Sequence, residues 1–160
     1  MNSYLLVIGL AVVVLTVLWF WLRRRLAKLD AEWEAKFPRT GCKYCGNTLL
    51  FYDLGHGNQI EYLDPGGRCY LWYPGNPVIL VGKWRVSESS IYFQYGLNTY
   101  NPVMNVRGGS WEEQSIDHWS SGIVDRVPGD VFGIKRSFPF VLKSNPPLNS
   151  LSELRLPEEL

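Results

Sequence analysis

Hydrophobic and polar positions change their rhythm along the chain, and each change predicts a different kind of element. From Tyr4 to Leu22 the sequence YLLVIGLAVVVLTVLWFWL runs for nineteen residues without a charge. As a helix rising about 1.5 Å per residue it matches the ~30 Å of a bilayer's hydrocarbon core. Residues 1–22 are therefore predicted to form a single transmembrane anchor. Arg23, Arg24 and Arg25 follow at once, with Lys28 close behind. Positive residues favour the cytoplasmic side, so these arginines set an expected topology with the N-terminus out and the C-terminal domain cytoplasmic. Trp19 and Trp21 stand where an aromatic belt forms. A cleaved signal is the poorer reading, because WFWLRRR fills the place of a small-residue cleavage site.

Beyond the arginines the apolar positions thin out to one stripe. Leu22, Leu26, Leu29, Trp33 and Phe37 recur at intervals of three and four, so residues 23–37 are predicted to continue as an amphipathic helical stalk that Pro38 ends. Trp33 is its candidate contact residue.

From Pro38 onward the period becomes that of strands. Thr48–Tyr52, Gln59–Leu63, Arg68–Tyr73, Val78–Val86, Ser90–Tyr95 and Val103–Arg107 are rich in aromatic and β-branched residues and are separated by turn sequences such as DPGG and PGNP. Trp111–Trp119 is ambiguous between an irregular edge and a short helix, with Ser110 and Glu113 in capping-box spacing. Ile123–Val127 and Asp130–Arg136 flank Pro128-Gly129 as an expected hairpin, and Phe138–Lys143 is a closing strand at an edge. Residues 38–143 are thus expected to be a mostly antiparallel β domain, a small barrel or a sandwich. Residues 144–160 read as an extended C-terminal arm that docks through Leu151 and Leu154.

Composition changes this picture in two places. Sixteen basic and fifteen acidic residues give a formal charge of +1, so no broad footprint for nucleic acid is expected. Seven Trp, nine Tyr and seven Phe suit sheet packing first and a contact surface second.

The chain has three cysteines, an odd number that cannot close a disulfide framework. Cys42 and Cys45 lie in GCKYCGNT, which resembles the metal knuckle of zinc-ribbon proteins over about eight residues; a second C-x-x-C is lacking. Cys69 and His56 complete a candidate set of Cys42, Cys45, His56 and Cys69 for one structural zinc ion. Unligated thiols with Cys69 in the core, or redox use of the Cys42/Cys45 pair, are the competing readings.

Catalytic patterns are weak. Asp117, His118, Ser120 and Ser121 have the residue types of a nucleophilic triad, but neighbours in sequence seldom meet in triad geometry. Glu112 and Glu113 are adjacent, so their side chains diverge. The leading expectation is a non-enzymatic, membrane-anchored assembly or accessory subunit, with the lipid bilayer, other proteins of a membrane complex or further copies of the chain as partners. The alternatives are a membrane-tethered hydrolase using His118, a thiol oxidoreductase using Cys42 and Cys45, or a ligand-sensing β domain whose concave aromatic pocket takes a small molecule.

Overall fold

The computed structural model describes residues 2–36 and 43–154, with helical side chains described at Gly9 and at 11–29. Two compact units result, Met1–Pro38 and Arg39–Leu160, and each is treated by itself.

The first unit is one helix, α1 (Asn2–Lys36). Among the described residues no helix is long and apolar enough to cross a membrane, which corrects the predicted anchor. The physical reason lies in where the charges fall. Arg23, Arg24, Arg25 and Lys28 belong to the same continuous helix as the apolar residues before them. The side chains from 4 to 10, Gly9 apart, and that of Trp33 lie outside the described residues. The single-pass location, the bilayer as a partner and the membrane-anchored assembly role fall with the span. Arg23 and Arg25 instead lie over the rings of Trp19 and Trp21, at 4.5 and 5.2 Å from the ring centroids, as cation–π pairs one helical turn apart.

The second unit is built on a seven-stranded antiparallel sheet in the order β8-β5-β4-β3-β2-β1-β9. Its strands are β1 (Asn47–Asp53), β2 (Gly57–Leu63), β3 (Arg68–Trp72), β4 (Leu80–Val86), β5 (Ser90–Tyr95), β8 (Glu112–Ser115) and β9 (Ile123–Pro128). A two-stranded hairpin, β6 (Tyr100–Asn101) with β7 (Val106–Arg107), stands apart from it. The first five strands form a meander of neighbours, and β9 returns to pair with β1.

The sheet curls without closing, so it is neither the expected barrel nor a sandwich but a half-barrel with β8 and β9 as free edges. Side chains alternate across it. Leu49, Leu63, Cys69, Trp84, Ile91 and Phe93 fill the concave face together with Trp119 of α2 (Ile116–Ser121). That short helix is capped by Ser115, whose hydroxyl accepts from the His118 amide, and not by Ser110 as the spacing predicts.

The convex face carries Leu50, Ile60, Tyr62, Tyr70 and Trp72, and is covered by Ile134, Leu142 and Leu151 from the C-terminal segment. This segment is not the predicted pair of strands. Thr48 captures it at its start, donating from its hydroxyl to the Gly129 carbonyl (2.6 Å) and accepting from the Val131 amide. The Asp130 carboxylate then takes the amides of Ile134 and Lys135 and closes a turn where a ladder was expected. Trp72 contacts Phe132, Phe138 and Phe140 with its ring and donates its indole N–H to the Phe140 carbonyl.

Candidate functional site

One row of residues crosses four strands of the concave face. Cys69 on β3 is paired with Gly82 on β4, and Gly82 with Tyr95 on β5, while Glu61 on β2 lies two positions along from Leu63, the partner of Cys69. In a flat sheet β2 and β5 would stand about 14 Å apart, at ~4.8 Å per strand. Yet the Tyr95 hydroxyl donates to Glu61 Oε1 at 3.3 Å. The two side chains reach towards each other across β3 and β4, and the missing side chain of Gly82 opens the path. A Cβ there would stand 2.8 Å from both Cys69 Sγ and the Tyr95 ring and 2.9 Å from the Gln94 carbonyl. Gly82→Ala is accordingly expected to destabilise the domain by about 1–3 kcal/mol and to unseat the phenol from the carboxyl. Urea denaturation, with an ultraviolet titration of the phenol, checks both.

Glu61 is 5% exposed, on the floor of the concavity. Burial pushes its carboxyl up to about 8, and the hydrogen bonds from Tyr95 and the Trp119 side chain only partly offset that effect. Below that pH the group is therefore mostly a neutral acid. Burial likewise raises the Cys69 thiol, and it raises the Tyr95 phenol well above its ordinary value. The phenol also hydrogen-bonds the thiol, so Glu61, Tyr95 and Cys69 form one buried polar chain.

Around this buried carboxyl, Phe51, Gln59, Leu71, Leu80 and Tyr95 are partly exposed on the same face. They belong to the end of the sheet where β1, β3 and β5 finish and where β2 and β4 begin. The β6–β7 hairpin leaves β5 at this end and reaches the β1–β2 turn, three strands away. There His56 Nε2 meets Asn101 Oδ1 at 3.2 Å. The hairpin thus bridges the mouth of the half-barrel.

His56 Nδ1 lies 3.0 and 3.1 Å from the two oxygens of Asp53. Asp53 Oδ1 also accepts the Gly55 and His56 amides at 2.8 Å. Burial alone would raise Asp53, but these bonds and the adjacent imidazole hold its carboxyl below the usual range. Asn101 Oδ1 accepts the amides of Val103 and Met104 as well. His56 is therefore a latch between two turns.

No family model, curated protein or solved structure matches the chain.

That geometry disperses the predicted zinc set, and among the described residues no group of three or more His, Cys, Asp and Glu is placed to hold a metal ion. Cys42 lies outside the described residues. His56 is at the opposite end of β2 from Cys69, a strand of seven residues and so roughly 20 Å. The Cys69 thiol is enclosed by Tyr95 and Gly82, and Cys45 packs partly buried against the same concave core. Among the described residues the predicted zinc ion has no site.

His118 is exposed, and Ser120 and Ser121 donate their hydroxyls to the backbone carbonyls of Asp117 and His118, so no triad forms. Leu151 is buried and Leu154 partly buried against the convex core of the chain's own sheet. Glu61 and Gly82 carry no motif in the sequence, and Tyr95 stands out there only as one of the aromatic residues alternating along strands. The available signal was an acid at an inward position of a strand, but Ile60 and Tyr62 on one side and Leu63 on the other leave both faces of β2 apolar, which hides the inward one.

Proposed function

We propose that the half-barrel is a ligand-sensing domain that takes a small, largely apolar molecule at the mouth of its concave face, with the β6–β7 hairpin as the part that yields. The observation carrying this reading is the buried Glu61 carboxyl, ringed by partly exposed Phe51, Leu71, Leu80 and Tyr95. A carboxyl held neutral by burial works against stability above its unperturbed range, and strongly perturbed groups in a concavity mark binding sites. Binding is favoured over catalysis because the partners of Glu61 are a phenol, an indole and, through the phenol, a thiol that burial keeps protonated.

The latch supplies the response. A ligand entering at the mouth competes with the His56–Asn101 contact, so loosening the latch should favour binding. His56→Ala is expected to tighten the binding of aromatic probes of phenethyl size by roughly three- to tenfold. The check is a titration followed by the Trp119 indole resonance. Unchanged affinity in this variant would remove the hairpin from the response, and an unmoved Trp119 signal with every probe would remove the site.

A further inference from the structure

Resting on that ligand-site reading, we propose that the occupant is an organic monocation, a primary amine with an apolar tail, whose ammonium group pairs with the Glu61 carboxylate among the rings of Tyr95, Phe93 and Trp119. Among the described residues Glu61 is the buried acid of the concave face, and both of its hydrogen-bond partners, Tyr95 and Trp119, are neutral. Arg126 on β9 and Glu112 on β8 share that face farther out, where Arg126 is exposed, lies over the Tyr44 ring and donates to the Lys43 carbonyl. The ion pairs His56–Asp53 and Lys135–Asp64 lie elsewhere. By strand alternation Lys83 and Arg85 of β4 belong to the convex side, opposite Gly82 and Trp84. With Arg126 turned to the Tyr44 ring and the Lys43 carbonyl, a buried acid whose hydrogen-bond partners are neutral is complemented by a ligand that brings a cation.

Aromatic rings surround the same point. Phe93 and Tyr95 are stacked with centroids 6.5 Å apart and planes inclined by 8°, and Trp119 lies 6.0 Å from Phe93 and 5.6 Å from Phe51. Ring faces carry negative potential and attract an ammonium ion most strongly where water is excluded. Phe51, Leu71 and Leu80 at the rim provide apolar surface for the tail. Asp53, held ionised at the mouth beside Gln59, adds a negative potential along the entry path.

Charge and protons balance simply. The ammonium enters with its own proton, the Glu61 proton leaves to solvent, and the pair formed is neutral. The groups linked to Glu61 by hydrogen bonds are the Tyr95 phenol, the Trp119 indole and, through the phenol, the Cys69 thiol, all of which stay neutral through this range, while the Arg126 guanidinium of β9 and Glu112 of β8 share the face farther out. Affinity should therefore rise about tenfold per pH unit from near pH 6 and level off above about pH 8.

The test uses the full chain and three probes that share one ring and differ in charge: phenethylammonium, phenethyl alcohol and phenylacetate. Each is titrated while the Trp119 indole resonance is followed and proton release is measured by calorimetry in two buffers. The expected result is that the ammonium probe binds at least tenfold more tightly than the alcohol at pH 8 with release of about one proton at pH 7, and that Glu61→Gln abolishes this preference while the alcohol still binds. If the alcohol or phenylacetate binds as tightly as the ammonium probe, the cation is overturned and the ligand site stands. If none of the three moves Trp119, both readings fail together.

Discussion

Between about pH 4 and pH 9, Glu61→Gln is expected to gain roughly 4–5 kcal/mol of stability relative to the unsubstituted chain. The sign follows from the direction of the shift. In the folded domain the carboxyl titrates near 8, against 4.5 for an unperturbed glutamate. The folded state thus holds a proton that the unfolded state has lost across this window, and stability falls by about 1.4 kcal/mol for each pH unit climbed. Below the lower value both states are protonated and nothing is lost; above the upper value both are ionised and the loss is complete. Glutamine does not titrate, so the difference between the two chains isolates this one group. Urea unfolding of both at intervals across the range provides the measurement. A flat difference would show that Glu61 is solvated, and the concave site would lose its foundation.

Asn58→Ala is expected to lower stability by about 3–5 kcal/mol and to release the C-terminal segment before the sheet itself unfolds. Asn58 is 1% exposed and its side chain makes four hydrogen bonds to the backbone of that segment. Its amide nitrogen donates to the carbonyls of Lys143 and Ser144 at 3.1 Å and of Pro146 at 2.9 Å, while its oxygen accepts from the Leu148 amide at 2.9 Å. The neighbouring Gly57, at φ +74°, lets Ser144 lie against the chain, since a Cβ there would meet the Ser144 backbone at 2.7 Å. Alanine would leave buried backbone groups without partners and remove none of the apolar surface that needs covering. Limited proteolysis between 143 and 148, run beside a denaturation curve, separates local release from global loss. Equal protection in both chains would show that apolar contacts alone retain the segment.

The strand meander was legible because it is written in local patterns. Thr48–Tyr52 falls within β1, Gln59–Leu63 within β2, and Ser90–Tyr95 coincides with β5, each bounded by turn residues. What the pattern could not contain is the use of single side chains across long separations. Asp130 looks like the first residue of a strand until its carboxylate is seen taking two backbone amides. Glu61 resembles an outward position, because both faces of β2 are covered and alternation no longer distinguishes inside from outside. The knuckle at Cys42 and Cys45 misled for a related reason: spacing brings two thiols together, but the third and fourth ligands depended on which ends of β2 and β3 meet. The span misled because the apolar run Tyr4–Leu22 was weighed apart from the charges that the same helix, α1, carries from Arg23 onward.

The chain order of the second unit also has a consequence in time. Strands β1 to β5 pair with the strand just made, so each finds its neighbour over a short loop and can form as it emerges from the ribosome. The convex face cannot be completed in that way. Ile60, Tyr70 and Trp72 are exposed by the growing meander and remain so until Ile134, Leu142 and finally Leu151 have been synthesised, some ninety residues after Ile60. During that interval an apolar sheet face and the unpaired edge of β1 are both open. A nascent chain halted near residue 120 is the form of this protein most prone to aggregate, and the one that chaperones would hold longest.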